Sequence, residues 1–328
     1  MEDYARFVLN DAASSETLKH FRHELGSLIR QLPENELLGG RNTPGDVGTA
    51  ISSDTERTRS NAEEVFTAAA KRLPEALRTL EEYSKLCDSA VAAGLERLRY
   101  RSYQLEQCLA MRGARRGRLN NARLYVLITE NLCGKDWLKT AEEAIAGGAD
   151  CLQLREKSLT DHELLQRARR LANLCRSKNA LSIINDRPDI AALSGADGVH
   201  LGQDDLSPAE ARRIAGPECL IGISTHNVAQ FRAAMAADVD YIAVGPMFDS
   251  ATKPLLEIAG PALLQTARSE TRLPIVAIGG INAKNAEELR QMGANCVCVC
   301  SAVIQASNVF EAAAGLAGKK NKRKPQTS

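Results

Sequence analysis

The sequence has no long apolar run. None approaches the ~20 consecutive apolar residues that a membrane-spanning helix requires. It has no excess of one charge: 42 basic residues stand against 41 acidic ones, so no global field directs the chain to nucleic acid. It opens Met1-Glu2-Asp3-Tyr4, without the basic and then apolar leader of an exported protein. It has no paired-cysteine pattern; nine cysteines are scattered through 328 residues. A chain of this size does not need disulfide staples, so reduced thiols in the cytoplasm are the expectation. These absences set aside a membrane protein, a secreted protein and a nucleic-acid binder. What remains is a globular chain whose 44% hydrophobic content suffices for one large core or two smaller ones.

A further absence divides the chain. Residues 1 to 118 contain almost no run of β-branched residues. Their apolar positions recur at three and four, as in Leu73, Leu77, Leu80 and Tyr83, then Leu95, Leu98, Tyr103 and Leu105, which predicts amphipathic helices. Gly39 to Gly48, containing Asn42-Thr43-Pro44-Gly45-Asp46, has the grammar of a loop. The basic stretch Arg112-Gly113-Ala114-Arg115-Arg116-Gly117-Arg118 reads as a linker. An all-helical domain over 1–118 is therefore expected, with that linker at its end.

From residue 124 short apolar runs alternate with helix-length stretches. The runs are 124–128, 151–154, 181–184, 198–201, 220–223, 241–244, 275–278 and 297–299. Nearly continuous apolar strands imply burial on both faces, as in a parallel sheet wrapped by helices. Evenly spaced units of this kind predict an α/β fold, a closed (β/α)8 TIM barrel over 119–318. An open doubly wound sheet is the competing arrangement. The end of the chain, 319–328, begins with the basic run Lys319 to Lys324 and is expected to be a disordered tail.

In such a barrel, chemistry belongs at the C-terminal strand ends, and the unusual polar residues fall there. After the second strand come Gln153-Leu154-Arg155-Glu156-Lys157; alternation puts Gln153 and Arg155 on one face, and two cations at a rim suit a polyanion or, equally, surface salt bridges. After the third strand stand Asn185-Asp186-Arg187, and after the fourth His200-Leu201-Gly202-Gln203-Asp204-Asp205. Carboxylates from neighbouring strands suit Mg2+ bound with phosphate oxygens and water. Ser207 before Pro208 is the better helix cap, which leaves Asp205 for other work. Ser224-Thr225-His226 offers hydroxyls and an imidazole, with His226 either a proton donor or a helix cap. The loop Gly245 to Lys253 carries two hydroxyls and a cation suited to gripping phosphate. Gly279-Gly280 and Ser301 occupy the usual phosphate position of this fold. Cys296, Cys298 and Cys300 share one face of the last strand and read as small buried hydrophobes rather than metal ligands. No Ser/His/Asp or Cys/His arrangement stands out among these motifs.

Five of these motifs occur in the order found in thiamine-phosphate synthases, which the chain resembles over all eight strands: Gln153 to Lys157, Asn185-Asp186-Arg187, Gly198 to Asp205, Gly245-Pro246 with Thr252-Lys253, and Gly279-Gly280-Ile281. The helical half resembles an extra domain that some bacterial members carry. The resemblance implies condensation of a hydroxymethylpyrimidine diphosphate with a thiazole phosphate to give thiamine phosphate and pyrophosphate. Gln153, Leu154, Arg155, Glu156, Lys157 and Asn185 would bind the pyrimidine diphosphate. Asp186 and Asp205 would bind Mg2+. Ser224 and Lys253 would contact the diphosphate, and with Arg155 and Lys157 would form the catalytic set. Ser250, Thr252, Gly280, Cys300 and Ser301 would take the thiazole phosphate. The partners implied are small molecules, and a homo-oligomer is left open. Departures from the family are Asp249 where Pro is common, Ser250 where Thr is common, and Cys300 in place of an aliphatic residue. A thiazole tautomerase-type barrel shares the fold and the phosphate site but does not need the diphosphate and metal set. A ligand-sensing regulatory protein is the other alternative.

Overall fold

The computed structural model describes residues 1–9, 11–33, 45, 58–119, 121–249 and 259–318. The Asn42–Asp46 loop apart from position 45, the grip residues Ser250, Thr252 and Lys253, and the basic tail lie outside the described residues. The chain divides into two compact units, Met1–Gly113 and Ala114–Ser328.

The first unit is helical. A π-helical turn (Tyr4–Val8) precedes α1 (Ala12–Ile29), α2 (Ala62–Ser84) and α3 (Ser89–Leu119), the last of which runs on into the second unit. Asp11 and Asn61 cap α1 and α2 by accepting backbone N–H groups of Ser14 and Glu64. One core joins Tyr4, Leu18, Phe66 and Leu109, with the Tyr4 and Phe66 rings stacked at 4.5 Å. A second joins Phe21, Leu77, Val91, Leu95 and Leu98. The helical period thus marked the right face at Leu77, Leu95 and Leu98, whereas Tyr83 and Tyr103 are exposed. The buried charges are paired: Glu81 accepts from Arg99 Nε at 2.8 Å, and Arg112 donates to Asp11.

The basic stretch expected to be a linker is helical. It completes α3, where a run of arginines has good helix propensity and no proline intervenes. Within the second unit Arg115 pairs with Asp240 at 2.9 Å and Arg118 with Asp197.

The second unit is a closed parallel barrel in strand order β1 to β8. Its elements are β1 (Leu124–Ile128), α4 (Trp137–Ala146), β2 (Cys151–Leu154), α5 (Asp161–Ser177), β3 (Leu181–Asn185), α6 (Pro188–Ser194), β4 (Gly198–Leu201), α7 (Pro208–Ala215), β5 (Leu220–Thr225), α8 (Val228–Ala236), β6 (Tyr241–Val244), α9 (Gly260–Glu270), β7 (Ile275–Ile278), α10 (Ala286–Gln291), β8 (Cys296–Val299), α11 (Ser301–Ile304) and α12 (Val309–Ala317). Strand alternation sorts the side chains into two shells. Tyr125, Cys151, Ile183, Tyr241, Val276, Cys296 and Cys298 fill the interior. Val126, Leu152, Ile184, Val199, Ile221, Ile242 and Val297 face the helices. Cys296 and Cys298 therefore take the places of small buried hydrophobes.

At the N-terminal rim one device recurs. Asp150, Asp197, Asp240 and Asn295 each precede an even-numbered strand, and each accepts a backbone N–H from the start of the odd-numbered strand beside it: Leu124, Ser182, Ile221 and Ile275. These bonds satisfy strand-start donors that would otherwise be orphaned. They hold the rim opposite the strand ends where the candidate site lies.

Candidate active site

The C-terminal end of β2 splits its five-residue motif by alternation. Gln153 is buried, and its Nε2 donates to the Tyr125 hydroxyl at 2.6 Å. The backbone at Arg155 is pinned: its N–H donates to the Ile128 carbonyl at 2.9 Å and its carbonyl accepts the Thr129 hydroxyl. Lys157 stands exposed beyond it. Leu154 instead packs into the outer shell. The Glu156 side chain is 4% exposed; it accepts the Glu130 N–H at 2.7 Å and lies 3.5 Å from Arg167. The side chains of Leu154 and Glu156, expected at the substrate, are thus engaged elsewhere, and only their backbone groups remain for it. The reason is the pleat, which sends residues at even and odd positions to opposite faces.

Asp186 follows Asn185 at the end of β3. Its backbone is left-handed, with φ 63°, a conformation costing about 1–3 kcal/mol in a non-glycine residue, although Asp tolerates it better than most. Its N–H donates to the His200 carbonyl at 2.8 Å, which ties β3 to β4. Burial, a hydrogen bond to Asp205 and the negative charge of Asp205 raise the Asp186 carboxyl to about 6, against the opposing pull of Lys157 and Arg155. Asp205 accepts the Gly202 N–H at 2.6 Å. It is free of capping duty because Ser207 forms the capping box of α7 with Glu210, as the Ser-Pro sequence predicts. Arg187 is occupied by Asp189 at 2.7 Å and Asp161 at 2.6 Å.

Beside this pair runs a buried polar chain that the sequence reading did not assemble. The two ring nitrogens of His200 lie 3.0 Å from the Tyr241 hydroxyl and 2.9 Å from Ser224 Oγ. The Tyr241 and Tyr125 hydroxyls are 3.1 Å apart, and Gln153 completes the series. The usable signal was period two: Tyr125, Gln153, His200, Ser224 and Tyr241 all occupy inward-facing register positions on their strands. His226 does not join them. Its Nδ1 lies 2.6 Å from the Gly245 carbonyl, and Asn227 is the cap of α8.

The ends of β6 and β7 are clasped by backbone bonds. Met247 N–H donates to Ile278 O at 2.9 Å and Phe248 N–H to Gly279 O at 3.1 Å. Gly279 and Gly280 have φ of 101° and 64°. A Cβ on Gly280 would stand 2.5 Å from the Asp249 carbonyl, so glycine is required there on two counts. Asp249 is exposed to solvent. Cys300 precedes Ser301, the first residue of α11, and its thiol is pushed up to about 11 by burial, with Arg155 pulling the other way. Gly280 follows β7, and Cys300 and Ser301 follow the adjacent β8.

A closed (β/α)8 barrel bearing cations, an apposed carboxylate pair and a glycine turn at its C-terminal mouth belongs to the class of phosphate-handling barrel enzymes. The comparisons narrow this class. Residues 124–303 match the family model for thiamine monophosphate synthase, and residues 1–108 match that of the ThiD2 family. A thiamine-phosphate synthase of Rhodopirellula baltica is 40% identical over 328 residues, covering 96% of this chain and 87% of its own. One of Thermosynechococcus vestitus is 40% identical over 310 residues, covering 94% and 86%. The solved thiamine phosphate pyrophosphorylase from Pyrococcus furiosus superimposes with a TM-score of 0.56 at 32% identity, covering 60% of this chain and 95% of that one. The chain belongs to the thiamine-phosphate synthase family. It is a transferase of thiamine biosynthesis, and among its described residues no helix is long and apolar enough to cross a membrane.

Proposed function

We propose that the chain joins a hydroxymethylpyrimidine diphosphate to a thiazole phosphate, releasing pyrophosphate and thiamine phosphate, with Mg2+ as cofactor. The observation that supports this reading is the placement of Arg155 and Lys157 after β2, Asp186 after β3 and Asp205 after β4, three adjacent strands of the barrel mouth, where burial and Asp205 raise the Asp186 carboxyl and the two cations pull it down. A carboxylate pair of this kind is self-repulsive by itself and fits a hard dication whose other ligands come from phosphate and water. Asp186 and Asp205 would hold Mg2+, which supplies charge neutralisation to the departing pyrophosphate.

The remaining work falls to side chains. The pyrimidine carbon that carries the diphosphate is benzylic in type, so its bond to oxygen breaks ahead of attack and negative charge grows on the leaving group. Arg155 and Lys157 face that charge, and Lys253 joins them by the sequence motif. Gln153 and Asn185 orient the pyrimidine, and Ser224 offers a hydroxyl to the diphosphate. Gly280, Cys300 and Ser301, with Ser250 and Thr252, hold the thiazole phosphate so that the ring nitrogen meets the cationic carbon. A tautomerase-type barrel would not need the four charged groups together. All nine cysteines are free, which suits a reducing cytoplasm.

The test is an assay of the purified chain with both substrates and Mg2+, following pyrophosphate and thiamine phosphate. Product that needs both substrates and vanishes with EDTA is expected. A folded protein that binds thiazole phosphate but forms no product would overturn the reading.

A further inference from the structure

Gln153, Tyr125, Tyr241, His200 and Ser224 are joined by a run of hydrogen bonds across the barrel interior, drawn from β2, β1, β6, β4 and β5. We propose that this run makes His200 a positioning residue, which fixes the Ser224 hydroxyl as a proton donor toward the mouth.

The direction of the run follows from its buried end. The Gln153 amide nitrogen can only donate, and it donates to the Tyr125 oxygen. Tyr125 is 1% exposed, and among the described residues the acceptor for its own proton is the Tyr241 oxygen 3.1 Å away. Reversing that bond would leave a hydroxyl proton unpaired inside the barrel, at a cost that burial makes heavy. Tyr241 must therefore turn its proton to His200 Nδ1, so that Nδ1 accepts. The imidazole then carries its proton on Nε2 and donates to Ser224 Oγ. With an oxygen lone pair occupied by His200, the Ser224 proton is left to point at what enters the mouth. The opposite polarity would make Ser224 the donor to His200 and present an acceptor to an anionic diphosphate.

Packing holds the imidazole in place. Its ring is stacked on that of Tyr241, with centroids 5.5 Å apart and planes at 24°. The Ser224 carbonyl is also fixed, accepting from Gln203 Nε2 at 2.6 Å. Both dihedral freedom and proton direction at Ser224 are thus set before substrate arrives, which is the preorganisation that an electrostatic role requires.

This inference rests on the synthase reading, and two measurements separate them. Nitrogen-15 spectra of the imidazole should show Nε2 protonated and Nδ1 accepting; the reverse tautomer overturns the proposal, whatever the activity. In the synthase assay, His200→Leu should lower kcat by about tenfold or more, the equivalent of one hydrogen bond lost in the transition state, and His200→Gln, which restores a donor near the Nε2 position, should recover part of it. In a Ser224→Ala background His200→Leu should cost nothing more, because its effect passes through Ser224. Losses that multiply across the two sites, or a fall in Tm with kcat unchanged, would overturn the proposal. A wild-type protein that makes no thiamine phosphate would overturn the synthase reading, and the tautomer measurement would still decide this one.

Discussion

The ring of Tyr241 lies where a side chain on Gly222 would have to stand: a Cβ built on Gly222 falls 2.0 Å from Cζ of Tyr241 and 2.4 Å from Cε2. The two residues are paired across β5 and β6. Glycine at this position makes room for an aromatic ring that is itself fully buried. Gly222→Ala is expected to displace the ring and to destabilise the barrel by about 1–3 kcal/mol, the usual range for an overpacked core. Urea unfolding reads the stability. The same substitution should also reduce synthase activity, since the Tyr241 hydroxyl is bonded to His200.

The apposition of Asp186 and Asp205 makes a separate prediction. Asp186→Asn removes a charge from the pair while keeping its shape, and the left-handed backbone at this position suits Asn as well as Asp. A loss of about 100-fold in kcat/KM is expected, in the range found when a group that stabilises developing charge is removed. The Mg2+ concentration for half-maximal rate should rise. Unchanged Mg2+ dependence would show that the carboxylate pair does not hold the ion.

Glu156 and Lys157 are neighbours with opposite expectations. Glu156 is buried against Glu130 N–H and Arg167, so Glu156→Ala should lower stability by about 1–3 kcal/mol through the unsatisfied groups it leaves. Lys157 is exposed at the mouth, so Lys157→Ala should leave Tm within a degree or so, as surface changes usually do, and should raise KM for the diphosphate substrate. Thermal melts and steady-state kinetics on the two variants distinguish the roles.

The buried pair in the helical unit carries a pH signature. The hydrogen bond from Arg99, opposed by burial and helped by the charges of Arg99, Arg78 and Lys85, holds the Glu81 carboxyl below its ordinary range. A lowered folded-state pKa means that the stabilisation is fully present above the unfolded value and is lost as pH falls through the folded value. The stability gap between the wild type and Glu81→Gln should therefore be widest near neutral pH and should narrow on acidification below the carboxylate range. Urea midpoints at a series of pH values check this.

Much of the barrel was legible because its signal is local. A strand buried on both faces needs a run of apolar residues, and a run such as Ile275 to Ile278 is visible without any partner. The polar residues at strand ends were legible for a related reason: Arg155, Asp186 and Asp205 interrupt apolar stretches at the points where a parallel barrel opens to solvent. Capping was local too, and Ser207 before Pro208 announced α7. The boundary between the two units falls inside the basic stretch Arg112 to Arg118, but the stretch is helical, which its charge and glycines did not announce. Its role in α3 depends on Asp197 and Asp240, far along the chain.

Hydrophobic period and chain order were enough to give the alternation of strand and helix, the class of barrel and the residue types at its mouth. Which side chains meet depended on how the barrel closes. Closure of β8 onto β1, the apposition of Asp186 and Asp205, and the run from Gln153 to Ser224 all join positions from different strands. The physical reason is that a hydrogen bond or a Coulomb interaction depends on distance and direction in space. The local periods of a sequence give neither for residues such as Tyr125 and Tyr241, until the barrel closes and sets their hydroxyls 3.1 Å apart.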